Sequence, residues 1–229
     1  MSLEFFEKRY VVNLSYRRDR RADMERELRR CGVDAVFFPA FRFADAAPFH
    51  RVGSRGAYMS HLSILESSRP TQSVLILQDD LDFVKDVRRL SVVNQLPPEW
   101  GIFYGSYNGA PRAGEPAMRR VAPDEELVGL YFSAINGRYL DRIVSALRVY
   151  LQRERDHPLG GPMPIDGAYN VFRRQNPDIP VFAATPALGH QRSSRSDCAE
   201  RKWFDREATA PIVDKVRAVK TKLLRGARR

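Results

Sequence analysis

In LILQDDLDFV, Leu75 to Val84, an apolar run leads straight into three carboxylates, Asp79, Asp80 and Asp82. Like charges a few ångströms apart repel and raise one another's pKa, so a strand gains nothing by ending in such a cluster unless a cation answers it. Oxygen donors suit the hard ions Mg²⁺ and Mn²⁺. Asp80-Leu81-Asp82 is a DxD, and an ion held there would neutralise a diphosphate leaving group as its bond breaks. Other chemistry-bearing residues are Asp166, set between a proline-rich entry and a helical pattern, and His61 and His190. Asp166 suits either a helix cap or a general base. His61 suits either a buried, hydrogen-bonded core histidine or a site residue.

These residues need elements to hold them. RYVVNL (9–14) is a short β-branched run and a first buried strand. The charged stretch 17–32 reads as a helix with Met24 and Leu28 inward, ended by Gly32. AVFFPAF reads as a second strand, and 56–68 as a buried helix carrying Tyr58, Leu62 and Leu65 at helical intervals. SVLILQDD is the next strand. This β-α-β-α-β order predicts an α/β fold with a mostly parallel sheet of the nucleotide-binding kind, whose ligands sit at the carboxyl ends of strands. Residues 13–20 and 79–82 both fall there. Further on, WGIFYGSY reads as a strand and 110–126 as a mobile, proline- and glycine-rich loop. A strand and helix follow, with Tyr139, Leu140, Ile143, Leu147 and Leu151 on the helix's apolar face. IPVFAAT then gives a last core strand before a polar loop holding His190, Gln191, Ser194, Ser196 and Asp197.

The 229 residues, 43% hydrophobic, suffice for one α/β domain, placed at 1–210, with a basic tail at 211–229. No apolar run is long enough to span a bilayer, and the charged N-terminus lacks a secretory cleavage site, which predicts a cytoplasmic protein. Cys31 and Cys198 lie far apart without CxxC spacing and read as structural. The net charge of +10 calls for an anionic partner. Seven Lys or Arg against one Asp in 211–229 put +6 of it in the tail, where Ile212, Val216, Val219 and Leu223 recur at helical spacing. That pattern suits a helix lying on an anionic membrane surface, or equally one docked on its own domain. Without an aromatic to stack a base, the tail gives no expectation of nucleic acid.

The acidic stretch also resembles the nucleophile motif of haloacid-dehalogenase-like phosphatases. It lies a third of the way along the chain, however, and lacks the later Gly-Asp pair. A fuller resemblance comes from VVNLSYRRDRRADM, FFPAF, GAYMSHLSILESS and VLILQDDLDF together. Their order and spacing resemble glycosyltransferase family 25, the bacterial lipooligosaccharide galactosyltransferases and their relatives. The match covers about Tyr10 to Phe83 and continues thinly through YFSAINGRYL, PIDGAY and HQRSSRSD.

The resemblance implies a GT-A-type fold and inverting, metal-assisted transfer of a hexose such as galactose. The donor would be a UDP-linked nucleotide-sugar and the acceptor a hydroxyl of a lipopolysaccharide or other cell-surface glycan or glycolipid at the inner membrane. Under it Asn13, Arg17 and Arg20 face the nucleotide and its phosphates, with Ser60 and Asp79 beside the donor. Asp79 and Asp80 match the family's paired Asp while Asp82 completes the DxD, so that two of the three, Asp80 and Asp82 or Asp79 and Asp80, hold Mn²⁺ or Mg²⁺ together with His190, and Asp166 and His61 are the catalytic groups. Gln78 stands where the family has Glu, and Ser133-Ala134-Ile135 departs from its usual pattern. A second reading keeps the fold without catalysis, as a protein that binds a glycan or a membrane partner.

Overall fold

A computed structural model describes residues 2–192. After a 3₁₀ turn at Ser2–Phe5, the order is β1 (Lys8–Asn13), α1 (Arg18–Cys31), β2 (Val36–Pro39), α2 (Val52–Ser67), β3 (Ser73–Gln78) and β4 (Leu81–Phe83). There follow a 3₁₀ segment (Val87–Gln95), β5 (Ile102–Ser106), β6 (Ala117–Arg120), β7 (Phe132–Asn136) and α3 (Leu140–Gln152). The last elements are α4 (Ile165–Gln175), β8 (Val181–Thr185) and β9 (Gly189–Gln191). The tail at 211–229 and Cys198 lie outside the described residues, as do Ser194, Ser196 and Asp197.

Seven strands make one sheet in the order β2-β1-β3-β7-β5-β8-β6. β2, β1 and β3 run parallel, as do β5 and β8, while β7 and β6 run against their neighbours. The architecture is the mixed α/β one, with a mostly parallel sheet, that the alternation of strands and helices predicts. Period-2 side-chain alternation sorts the strand residues into two cores. Val12, Val74, Ile76, Ile102, Tyr104 and Ile135 face Tyr58, Leu62, Leu65, Ile143, Leu147 and Phe172 of α2, α3 and α4. Val11, Leu75, Leu77, Phe103, Phe132 and Ala134 face Met24 and Leu28 of α1, with Leu3, Phe6, Leu90, Val93 and Trp100. Both faces of β3 are therefore covered, which is why it reads as an unbroken apolar run.

Gly32 ends α1 in the left-handed conformation at φ 61, its N–H and that of Val33 returning to Arg29 and Leu28. This is the Schellman closure that glycine permits. Among the described residues no helix is long and apolar enough to cross a membrane. The Cys31 thiol is pushed up to about 11 by burial, which makes it an unreactive packing group, as its sequence context suggested.

Two expectations are corrected. The 110–126 excursion is not all loop: β6 pairs antiparallel with β8 from Ala117↔Thr185 to Arg120↔Phe182 and forms the sheet edge. The acidic stretch is not the tail of one strand either. β3 stops at Gln78, Asp79 and Asp80 make a turn, and Asp82 is the middle residue of β4, which pairs with β9 in a separate two-stranded sheet.

Candidate functional site

Two parallel strands and the start of one helix deliver the predicted residues to one edge. Asn13 ends β1, Asp79 and Asp80 follow β3, and Arg17 and Arg20 begin α1 directly after the β1 turn. All five are nearly buried. Asp79 accepts from Asn13 Nδ2 at 2.8 Å and from Arg20 Nη1 at 2.9 Å. The same Arg20 nitrogen lies 3.4 Å from Asp80 Oδ2. Burial pushes the Asp79 carboxyl above the usual carboxylate range, Arg20 and the Asn13 amide oppose the rise, and Asp80 adds to it. Arg17 is anchored differently: its Nε and Nη2 grip Asp19 at 3.0 and 2.9 Å, while its carbonyl receives the Asn13 amide.

The charge of the acidic stretch is thus answered from within the chain. Arg20 serves Asp79 and Asp80, and Arg192 brings Nε and Nη2 to within 2.8 and 2.7 Å of Asp82 Oδ1. His190 stands opposite Asp82 in the β4–β9 ladder, with Nε2 4.0 Å from Asp82 Oδ2. Among the described residues no three His, Cys, Asp or Glu side chains cluster as a metal set. The donors expected to hold Mg²⁺ or Mn²⁺ are turned to guanidinium groups, and the residues present do not fit a divalent ion as they stand.

Ser60 and His61 both point into the core, fully buried. Ser60 Oγ donates to Gly56 O at 2.7 Å and accepts the Phe41 N–H at 2.9 Å, pinning the loop after β2. His61 Nε2 receives the Gln78 amide at 3.0 Å, and Nδ1 faces the Tyr169 hydroxyl at 3.4 Å. Burial alone lowers its pKa to about 4, so the ring is neutral and shows no surface to a substrate. His61 therefore positions Gln78, the residue just before the Asp pair, and Ser60 reaches a ligand only through the Phe41 loop.

Asp166 lies in the first turn of α4, whose N-cap is Pro164, so the carboxylate is not itself the cap. Its Oδ2 accepts the Gly129 N–H at 3.0 Å and its Oδ1 the Gly167 N–H at 2.9 Å. Gly129 has φ +83, and a Cβ there would fall 2.7 Å from the Tyr131 ring. Glycine is needed for both reasons. It lets Tyr131 lie against the peptide that orients Asp166.

Tyr131 joins this group to the acidic stretch, a connection the sequence did not reveal. Its hydroxyl faces Asn108 Oδ1 at 2.7 Å and Gln191 Oε1 at 3.1 Å, and Gln191 Nε2 donates to Asp80 Oδ2 at 3.1 Å. Burial, then Asp80, then Asp166 raise the phenol's pKa, against the lowering bond to Asn108. The hydroxyl thus reaches Asp80 through Gln191, and its neighbour Gly129 reaches Asp166 through its N–H.

Beside β1 and β2 the same edge carries aromatic surface. Tyr16 is 50% and Phe41 43% exposed. Arg42 lies over the Tyr16 ring at 5.1 Å, Phe41 stacks on Phe43 at 6.3 Å, and Arg55 covers Phe43 at 4.0 Å. FFPAF and Tyr16 were visible in the sequence; that Arg42, the residue after FFPAF, would lie over the Tyr16 ring was not. The described hollow of about 230 Å³, lined by Leu28, Arg29, Gly32 and Val33, lies at the far end of α1, away from all of these groups.

No family model matches the chain, and no curated protein does. Solved structures it is similar to include a glycosyltransferase involved in glycosylation of the major capsid of PBCV-1, at 10% identity and TM-score 0.47. That match covers 82% of this chain and 95% of the other. Mouse xyloside xylosyltransferase 1, apo form, matches at 12% identity and TM-score 0.39, covering 74% of this chain and 69% of that one. CMP:2-keto-3-deoxy-manno-octonic acid synthetase with CTP matches at 12% and 0.39, covering 94% and 81%.

Proposed function

We propose that the chain is a GT-A-type glycosyltransferase that takes a hexose from a UDP-linked sugar and passes it, with inversion, to a hydroxyl of a cell-surface glycan. The observation that carries this reading is the hydrogen-bonded chain from Asp80 through Gln191 to Tyr131 and Asn108 at the carboxyl edge of the sheet, with Asp166 held on the Gly129 N–H two residues from Tyr131. Carboxylates, amides and a phenol around one exposed edge are the groups that bind sugar hydroxyls and move their protons. The family-25 resemblance of Tyr10 to Phe83 supports a nucleotide-sugar donor.

In this reading the nucleobase lies on Tyr16 and Phe41, whose faces stack a base without regard to its identity. Arg42 sits beside them to meet phosphate. Asp166, held by the Gly129 and Gly167 N–H groups, accepts the proton of the acceptor hydroxyl as that oxygen attacks the anomeric carbon. Tyr131, Asn108 and Gln191 fix the sugar between the two carboxylates. No step is assigned to a metal. His61 acts at one remove, setting the Gln78 amide that precedes Asp79. The phosphatase alternative is disfavoured because Asp82, its acid/base group, is engaged by Arg192.

The test is release of the free nucleotide, UDP, GDP or CMP, from a panel of UDP-, GDP- and CMP-linked sugars, with and without oligosaccharide acceptors. Turnover of a UDP-sugar, lost in Asp166→Asn with UDP affinity retained, is the expected result. Turnover of none of them, by protein that binds UDP, would leave a binding protein in place of an enzyme.

A further inference from the structure

We infer that Arg192 is the resident counter-cation of the acidic stretch, standing where a divalent ion would otherwise sit, and that the chain binds its diphosphate ligand without one. Arg192 is 7% exposed; its Nε and Nη2 are hydrogen-bonded, while its buried Nη1 has an ion-pair contact and no hydrogen bond. Nε and Nη2 meet Asp82 Oδ1, Nη2 also meets Leu81 O at 3.2 Å, and Nη1 is ion-paired with Asp23 Oδ2 at 3.3 Å. Two carboxylates from different elements and a backbone carbonyl line one guanidinium, and oxygen is the donor type that a hard cation prefers.

The backbone holds Arg192 in place as well. Its N–H donates to Asp80 O at 2.6 Å, extending the β4–β9 ladder by one residue beyond Leu81↔Gln191. The neighbouring Gln191 spans Asp80 and Tyr131, so the same strand end that brings the cation also ties it to the proposed reacting groups. Formal charge points the same way: Asp79, Asp80, Asp82 and Asp23 against Arg20 and Arg192 leave −2, not −4. A divalent ion entering beside Arg192 would face a fixed like charge in a nearly dry environment. An arginine can itself serve a diphosphate, because its planar fork matches phosphate oxygens.

The second half of this inference rests on the nucleotide reading above, and the experiment separates the two. Mn²⁺ alone is titrated into the full chain, with the free ion followed by electron paramagnetic resonance. The wild-type protein is expected to leave the signal unchanged through the micromolar range. Arg192→Gln, which releases Asp82, Asp23 and the Leu81 carbonyl together, is expected to bind Mn²⁺ at least roughly tenfold more tightly, about 1.4 kcal/mol. Stoichiometric micromolar binding by wild type that is lost in Asp82→Asn would overturn the inference, whether or not Arg192→Gln folds. In parallel, UDP is titrated by calorimetry in EDTA and in Mn²⁺. Equal affinity supports the inference, and affinity that requires Mn²⁺ overturns it. Absence of UDP binding in both media would overturn the nucleotide reading and leave the Mn²⁺ titration to decide on Arg192.

Discussion

Replacing His61 by glutamine should flatten the acid limb of the stability curve. His61 is fully buried, and burial lowers its pKa from 6.5 to about 4. An unfolded chain protonates this ring below 6.5, whereas the folded chain resists until about 4. The unfolded state therefore binds more protons across that window, and folding stability falls as the pH falls through it. At about 1.4 kcal/mol per pH unit, the separation between 6.5 and about 4 amounts to about 3 kcal/mol. The Gln78 amide donates to Nε2, so a proton arriving there breaks the contact that holds the residue before Asp79. Asp79, raised by burial, slopes the other way, losing stability as the pH rises. It is present in both proteins, so the difference between them isolates His61. The assay is urea unfolding at half-unit steps from pH 7 to 4, for wild type and His61→Gln. Wild type should lose about 3 kcal/mol more than the variant over this range. Parallel curves would refute the reasoning and mean that the ring is already solvated or already charged.

Three further outcomes follow from the same geometry. Gly129→Ala should cost about 1–2 kcal/mol from its left-handed backbone alone, read as a lower Tm. Because the new Cβ lies 2.7 Å from the Tyr131 ring, sugar transfer should fall further than stability does. Arg20→Met leaves Asp79 and Asp80 without their shared partner and should lower unfolding free energy by about 3–5 kcal/mol, measured by urea titration. Removing residues 211–229 should weaken sedimentation with anionic liposomes, at roughly 1 kcal/mol per basic residue near the surface. Unchanged sedimentation would leave the tail a part of the domain.

Legibility followed the range of the forces involved. β1, β3 and β5 could be read because each buries both faces and so appears as a local apolar run, and Gly32 ends α1 by a purely local backbone preference. β6 escaped notice because AMRR is a half-exposed edge strand whose pairing with β8, not its own pattern, makes it a strand. The Asp79 to Asp82 stretch was visible as a charge problem but not its solution. Arg192 lies 110 positions from Asp82, and an ion pair leaves no periodic trace in a sequence. His61 could have been placed inside from the sequence. It shares the face of Tyr58, Leu62 and Leu65 at spacings of three and four, the stripe that packs on the sheet. Tyr131 and Asn108 come from two separate loops and Gln191 from the end of β9, and they meet only because β7 runs antiparallel and delivers its N-terminal end to the edge where β5 ends.

The central claim is that a nucleotide binds at the carboxyl edge, against Tyr16 and Phe41. It is tested most directly by calorimetric titration of UDP into the wild-type protein and into Tyr16→Ala and Phe41→Ala, two exposed positions whose truncation spares the core. The account predicts saturable binding by wild type and a loss of at least about fivefold in each variant, since stacking of a base is worth about 1–3 kcal/mol. No heat with UDP, or equal affinity in all three proteins, would contradict it.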